Sequence, residues 1–129
     1  MIVIDAAAVV DALTMPDGTA DLRSALARAD LHAPHLLDHE VVAALRGLNR
    51  GGKISPSRAV DALSDFDDLP IQRWPAGAGL RQRAFSLRES MSAYDAAYVA
   101  LAEALSATLL TRDARLARAA GGLVTVDVR

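Results

Sequence analysis

Cysteine is absent from this sequence, which excludes disulfide bonds and thiolate metal sites. The N-terminus also lacks a basic stretch followed by a long apolar run, because Asp5 interrupts the first apolar segment. This argues against a signal peptide and against a membrane-spanning helix. A strong positive charge is missing as well, since 14 basic and 16 acidic residues give a formal net charge of -2. We therefore expect a cytoplasmic protein that does not bind nucleic acid through bulk electrostatics.

The composition is that of a globular protein. Hydrophobic residues make up 52% of the chain and charged residues 23%. A length of 129 residues suits one domain with a core of its own and leaves no room for a second. We expect a single domain over residues 1–129.

The order of apolar runs and turn signals predicts strands that alternate with helices. The predicted strands are Ile2–Ile4, Leu31–Ala33, Leu69–Trp74, Ala107–Thr111 and Leu123–Val126. The predicted helices are Ala6–Leu13, about Leu22–Ala29, His35–Arg50, Ser55–Asp68, Ala78–Leu87, Ser92–Leu105 and Asp113–Ala120. This alternation indicates an α/β fold with a parallel sheet of about five strands, covered by helices on both faces. The third and fourth helices are expected to form a projecting hairpin with an apolar flank.

Four acidic residues from distant parts of the chain are expected at one edge of this sheet. Asp5 and Asp113 follow two strands directly, and Glu40 and Asp95 lie in the early turns of helices that start at the same edge. The helix from Asp95 descends ~15 Å and the strand that follows climbs ~17 Å, so Asp113 returns to the level of Asp95. Carboxylates gathered without interleaved bases repel one another unless they share a cation, and oxygen ligands suit Mg²⁺ or Mn²⁺.

Each of these acids also has a simpler explanation. Asp5 and Asp113 could each cap the helix that follows, and the helix dipole favours Asp95 near a helix start. Glu40 is harder to explain in this way, because it lies at the edge of the apolar stripe of its helix.

Several separated motifs point to one family. They are the opening M-I-V-I-D-A-A-A-V-V, the A-P-x-L-L-x-x-E-V-V-x-A-L block from Ala33 to Leu45, Y-D-A-A-Y-V-A-L-A from Tyr94, and L-L-T-R-D-A-R-L up to Leu116. Together they resemble PIN-domain ribonucleases of the VapC toxin type, over nearly the whole chain.

The resemblance implies a PIN-like domain that hydrolyses RNA phosphodiesters with Mg²⁺ or Mn²⁺ and leaves 5′-phosphate and 3′-hydroxyl ends. The family's acidic positions match Asp5, Glu40, Asp95 and Asp113, which are then both the catalytic residues and the metal ligands. The implied partners are RNA, a VapB-like antitoxin bound along the hairpin groove, and a second copy of the chain in a homodimer. Contact with DNA is expected only through the antitoxin, and contact with a membrane is not expected.

Two departures from the family pattern bear on the site. Ala7 replaces a hydroxyl residue that commonly helps to hold the first aspartate, and such losses cost about 10- to 100-fold in metal affinity or activity. We therefore expect Ala7→Ser to tighten metal binding or speed cleavage. Arg115 lies near a position where some members carry another acid. The missing acid argues against a second bound metal ion more than against catalysis itself. Thr111 matches the family's hydroxyl before the fourth acid, and Thr111 and Ser92 are expected to support the site.

Basic residues near the acids are candidates for RNA contacts, namely Arg46, Arg112 and Arg115.

Other interpretations remain open on the sequence alone. The chain could be a catalytically weak or inactive binding module, or a phosphotransferase with Asp5 as nucleophile, although the dehalogenase-like version of that enzyme needs an acid where Ala7 lies. His35 and His39, four residues apart and next to Glu40, could share a zinc ion, but zinc-site spacing is found nowhere else. Surface or strand-end positions explain the histidines more simply.

Overall fold

The computed structural model describes residues 1–129 as one parallel sheet with helices on both sides. The strands are β1 (Ile2–Ile4), β2 (Leu31–Pro34), β3 (Ile71–Trp74), β4 (Thr108–Thr111) and β5 (Val126–Val128). The helices are α1 (Ala6–Thr14), α2 (Ala20–Arg28), α3 (Leu36–Arg50), α4 (Pro56–Asp67), α5 (Ala78–Ser86), α6 (Ala93–Leu105) and α7 (Ala114–Ala120). All five strands pair in parallel, in the order β3-β2-β1-β4-β5. The predicted α/β class and number of strands are confirmed.

Successive residues of the central strands point to opposite faces of the sheet, and each face has its own core. Ile4 and Leu110 pack with residues of α1 to α4, whereas Val3 and Leu109 pack with residues of α6 and α7. These four side chains are completely buried. The alternation explains the unbroken apolar runs at Ile2–Ile4 and at Leu109 and Leu110, since both faces of the sheet are covered there.

The order of the strands places the carboxyl ends of β1 and β4 side by side. The chain leaves β1 toward β2 and β3 on one side of the sheet, while β4 and β5 lie on the other side. Ile4 pairs with Leu110, so Asp5 and the segment after Thr111 emerge next to each other. Open parallel sheets bind ligands at this kind of position, where the strand order reverses.

The hairpin of α3 and α4 forms as predicted. Gly52 adopts a φ of 72° in the turn, a left-handed conformation that favours glycine. The Ser55 hydroxyl caps α4 by accepting from the backbone N–H of Arg58 at 3.1 Å. Val42 on α3 and Val60 on α4 expose 50% and 61% of their surface, so each helix of the hairpin presents an exposed apolar side chain.

Two strands differ from the prediction by two residues or more at an end, whereas β2 and β4 differ by one residue. The last strand runs over Val126–Val128 rather than Leu123–Val126, because residues 121–124 form a turn in which Leu123 and Val124 both donate to the Ala120 carbonyl. The third strand begins at Ile71 rather than Leu69, whose N–H still bonds the Phe66 carbonyl at the end of α4. Apolar composition alone does not separate a strand from the turn before it.

No helix of the chain has both the length and the apolar character needed to cross a membrane.

Candidate active site

Asp5 is the most buried acidic residue at the carboxyl edge of the sheet. It follows β1 and caps α1, where its Oδ1 accepts from the backbone N–H of Ala8 at 2.9 Å. Its Oδ2 accepts a short hydrogen bond from the Thr111 hydroxyl at the end of β4. Asp5 therefore caps α1, which is the simpler role that the sequence suggested for it. Only 6% of Asp5 is exposed.

The surroundings of Asp5 make its ionised form costly. Burial raises the pKa of Asp5, and the negative charges of Asp113 and Glu40 raise it further. The hydrogen bonds from Thr111 and Ala8 oppose this rise but do not cancel it. Asp5 therefore lies within the field of two other predicted site carboxylates, in a place where a cation would be stabilised.

Asp113 is joined to Asp5 through the hydroxyl group of Thr111. The Thr111 oxygen accepts from the backbone N–H of Asp113 at 2.9 Å while its hydrogen goes to Asp5. The Oδ1 of Asp113 caps α7 by accepting from the N–H groups of Arg115 at 2.9 Å and Leu116 at 3.2 Å. Thr111 is completely buried, so it fixes the two aspartates relative to each other.

Asp95 reaches the site from the first turn of α6. The Ser92 hydroxyl caps that helix by accepting from the backbone N–H of Asp95 at 3.1 Å. The Oδ2 of Asp95 lies 3.1 Å from Nη2 of Arg115, which also lies 3.4 Å from Oδ2 of Asp113. Ser92 therefore fixes the start of α6, and Arg115 connects two of the predicted site carboxylates.

Glu40 is held by Tyr98, a residue that the acidic pattern of the sequence does not mark as part of the site. The Tyr98 hydroxyl donates to Oε1 of Glu40 at 2.6 Å, and Tyr98 is 2% exposed. Burial raises the pKa of the Tyr98 hydroxyl, and the bond to Glu40 raises it further, so this group stays a donor. A signal was available, because Tyr98 follows Asp95 by three residues and such residues share a helix face.

The donor set suits a hard divalent cation, but its present arrangement is not a closed cage. All four side chains offer carboxylate oxygens, which Mg²⁺ and Mn²⁺ prefer. No three acidic or histidine side chains are grouped closely enough to form a ready metal site. Oδ2 of Asp95 and Oδ2 of Asp113 both accept from Nη2 of Arg115. The donor chemistry therefore fits the cation, and Arg115 lies between two of the predicted ligands.

The predicted RNA-contact residues occupy different places. Arg115 touches the carboxylates, and Arg46 is exposed farther along the helix that carries Glu40. Arg112 instead pairs with Asp11 at 2.8 Å and donates to the Arg129 carbonyl at 2.9 Å. Its guanidinium group thus fastens α1 to the end of the chain.

The histidines take surface or strand positions. His35 and His39 are exposed on or beside α3. His32 is buried in β2, where its Nδ1 accepts from the indole N–H of Trp74 at 3.0 Å and its Nε2 lies 3.0 Å from Asp30 Oδ2. The hydrogen bond from Trp74 gives His32 a structural role in joining β2 to β3.

Comparison with known proteins gives one consistent result. The family model described as PIN domain matches residues 2–122. Ribonuclease VapC1 of Mycobacterium tuberculosis is 46% identical over 120 residues, which cover 92% of this chain and 90% of that protein. VapC ribonuclease Mb0985 of Mycobacterium bovis is 43% identical over 116 residues, covering 90% and 88% of the two chains. The crystal structure of VapBC2 from Rickettsia felis, bound to a DNA fragment from its promoter, matches with a TM-score of 0.71 at 15% identity, over 99% of this chain and 98% of that chain.

Proposed function

This chain belongs to the PIN-domain family as a VapC ribonuclease, the toxin of a VapBC-type module, and we propose that it hydrolyses RNA phosphodiesters with the help of Mg²⁺ or Mn²⁺. We assign the whole activity to one PIN domain over residues 1–129, acting in the cytoplasm. The residues proposed to hold the cation and to carry catalysis are Asp5, Glu40, Asp95 and Asp113.

The observation that carries this assignment is the buried Asp5–Thr111–Asp113 connection. One threonine hydroxyl donates to the Asp5 carboxylate and accepts from the backbone N–H of Asp113, at the point where the strand order reverses. Burial and the charges of Asp113 and Glu40 raise the pKa of Asp5, which is an unfavourable arrangement for the fold alone. Such an arrangement supports a site that gains its counter-charge from a bound cation.

The chain's own residues are proposed to position the reacting groups. Thr111 fixes Asp5 and Asp113, and Ser92 fixes the helix start that presents Asp95. Tyr98 holds one oxygen of Glu40, while Oε2 of Glu40 makes no hydrogen bond within the chain and is open to a water or a ligand. When bound, a divalent cation would polarise a phosphoryl oxygen, help to activate water and neutralise charge that develops on the leaving 3′ oxygen.

The phosphotransferase alternative fits this geometry less well. An Asp5 nucleophile of the dehalogenase type needs a second acid two residues later, and Ala7 occupies that position on α1, where it offers no carboxylate. An inactive binding module would keep the same fold and the same helix caps. RNA cleavage by the purified protein separates that alternative from the enzyme.

The partners follow from the family and from the surface of the hairpin. A VapB-like antitoxin is the partner of a VapC toxin, and the exposed Val42 and Val60 form an apolar flank on which we place its binding. We further propose a homodimer, and contact with DNA only through the antitoxin. RNA is proposed to meet Arg46 and Arg115, with Arg112 contributing only if its ion pair with Asp11 opens.

Sequencing of RNA 5′ ends after brief expression tests the proposal and identifies the substrate. Wild-type protein should create new 5′-phosphate ends at a few positions, and Asp5→Asn should not. Asp65→Asn is the matched control, because Asp65 is exposed on α4 and contacts none of the site residues. New ends that persist with Asp5→Asn would contradict the assignment.

A further inference from the structure

Arg115 occupies the gap between two carboxylates that are proposed to bind the cation. Its Nη2 lies 3.1 Å from Oδ2 of Asp95 and 3.4 Å from Oδ2 of Asp113. These acids come from different elements, the first turn of α6 and the cap of α7. No other basic side chain forms an ion pair with Asp5, Glu40, Asp95 or Asp113.

We propose that Arg115 is an internal counter-ion that competes with the divalent cation for Asp95 and Asp113 and must move away when the cation binds. This inference rests on the proposed function, since it requires the four carboxylates to be the metal site. It assigns Arg115 a regulatory role in metal loading, separate from the RNA contact expected from the sequence.

The competition follows from the oxygens that Arg115 uses. The guanidinium group places its positive charge next to one oxygen of Asp95 and one of Asp113, the two carboxylates that would contribute to holding the cation. The Oδ1 of Asp113 cannot replace its Oδ2 freely, because it accepts from two backbone N–H groups at the start of α7. Two positive groups at the same pair of oxygens would also repel each other.

The same geometry makes release of Arg115 easy. The Arg115 side chain is 65% exposed, whereas those of Asp95 and Asp113 are 21% and 36% exposed. An ion pair open to solvent contributes little, because water and salt replace most of what it supplies. The guanidinium group can therefore swing into solvent while the carboxylates stay in place, so the expected effect on metal affinity is modest.

Calorimetric titration of Mn²⁺ into the full-length wild type and into Arg115→Gln and Arg118→Gln tests the proposal. Arg118 lies on the same helix, is exposed and forms no ion pair, so its variant removes one nearby charge without opening the site. Arg115→Gln should bind Mn²⁺ about 2- to 5-fold more tightly than wild type, the range expected for loss of a weak exposed competitor. Arg118→Gln should bind as wild type does.

Melting measured without RNA gives a second readout. In EDTA, Arg115→Gln should melt below wild type, because Asp95 and Asp113 lose their counter-ion. Added Mn²⁺ should shrink or reverse that difference.

The outcomes distinguish a failure of the role proposed for Arg115 from a failure of the proposed metal site. Equal or weaker Mn²⁺ binding by Arg115→Gln, or equal tightening by Arg118→Gln, would overturn the competition while leaving the metal site intact. If none of the three proteins binds Mn²⁺, the proposed metal site itself is wrong, and the role of Arg115 is rejected with it.

Discussion

Removing the Tyr98 hydroxyl tests how Glu40 is held. Tyr98→Phe keeps the ring, which packs in the core between the sheet and α6, and deletes only the donor that reaches Oε1 of Glu40 at 2.6 Å. A hydrogen bond to a charged group contributes about 1.5–3 kcal/mol, and the partial exposure of Glu40 lets water replace part of it. We therefore expect a loss of about 1–2 kcal/mol in the free energy of unfolding, or roughly 3–6 °C in melting temperature.

The same change should also lower RNA cleavage. Without the Tyr98 hydroxyl, the Glu40 carboxylate rotates among orientations in which it does not face the other site carboxylates. Loss of such supporting contacts costs about 10- to 100-fold in activity. Thermal melting in EDTA and initial cleavage rates measure the two effects separately. Tyr94→Phe is the matched control, because Tyr94 lies on the same helix but is 63% exposed and its hydroxyl bonds nothing. Its stability should stay within about 0.5 kcal/mol of wild type.

Two results would refute this reasoning. A Tyr98→Phe protein as stable as wild type would mean that the bond to Glu40 contributes nothing to the fold. A protein that is destabilised yet fully active would mean that Glu40 does not need this support, and that its role in the site is wrong.

The remaining predictions concern the other carboxylates. Ala7→Ser should tighten Mn²⁺ binding, as the missing hydroxyl predicts, and calorimetry measures it; an unchanged affinity would mean that the bond from Thr111 to Asp5 already compensates for the missing hydroxyl. The pKa of Asp5 is raised above its ordinary value of 3.8. The stability that the protonated Asp5 carboxyl contributes is therefore fully present below pH 3.8, and it is lost as the pH rises through the raised pKa. In EDTA, Asp5→Asn should thus gain melting temperature relative to wild type between pH 4 and pH 7.5, and a constant difference would contradict this. Asp113→Asn should melt no lower than wild type in EDTA, since Asn also caps helices. Mn²⁺ at a hundred times its dissociation constant should stabilise wild type by roughly 2.7 kcal/mol and Asp113→Asn by less. If Mn²⁺ does not change the melting temperature of wild type, and Asp113→Asn is destabilised in EDTA, these acids act only as helix caps.

The sequence predicted the start of a helix or strand correctly where a residue type strongly favours one local conformation. The β-branched run before Asp5 predicted β1, and Ser55 followed by Pro56 predicted the start of α4, because both signals act within a few residues. The same logic failed at Leu123 and Leu69, where an apolar residue lies in a turn rather than in a strand. Boundaries of this kind depend on backbone hydrogen bonds that composition does not encode.

The candidate site shows a similar division. The carboxyl ends of parallel strands share one edge, so the topology alone could bring Asp5 and Asp113 to it. The sequence could not show that Thr111 donates to Asp5, or that Tyr98 reaches Glu40 across 58 positions of the chain. Nor could it show that Arg115 turns toward Asp95, because the direction of a long side chain is set by its neighbours in space.

Cleavage of a labelled RNA by the purified protein at increasing Mn²⁺ concentration tests the central claim most directly. The wild type should cut only with Mn²⁺ or Mg²⁺, lose activity in EDTA, and leave 5′-phosphate and 3′-hydroxyl ends. Loss of activity by orders of magnitude is expected for each of the four amide variants, Asp5→Asn, Glu40→Gln, Asp95→Asn and Asp113→Asn. The controls Asp65→Asn and His35→Ala should cut as wild type does. Cleavage that persists in EDTA, or activity that survives in Asp95→Asn but is lost in His35→Ala, would contradict the account.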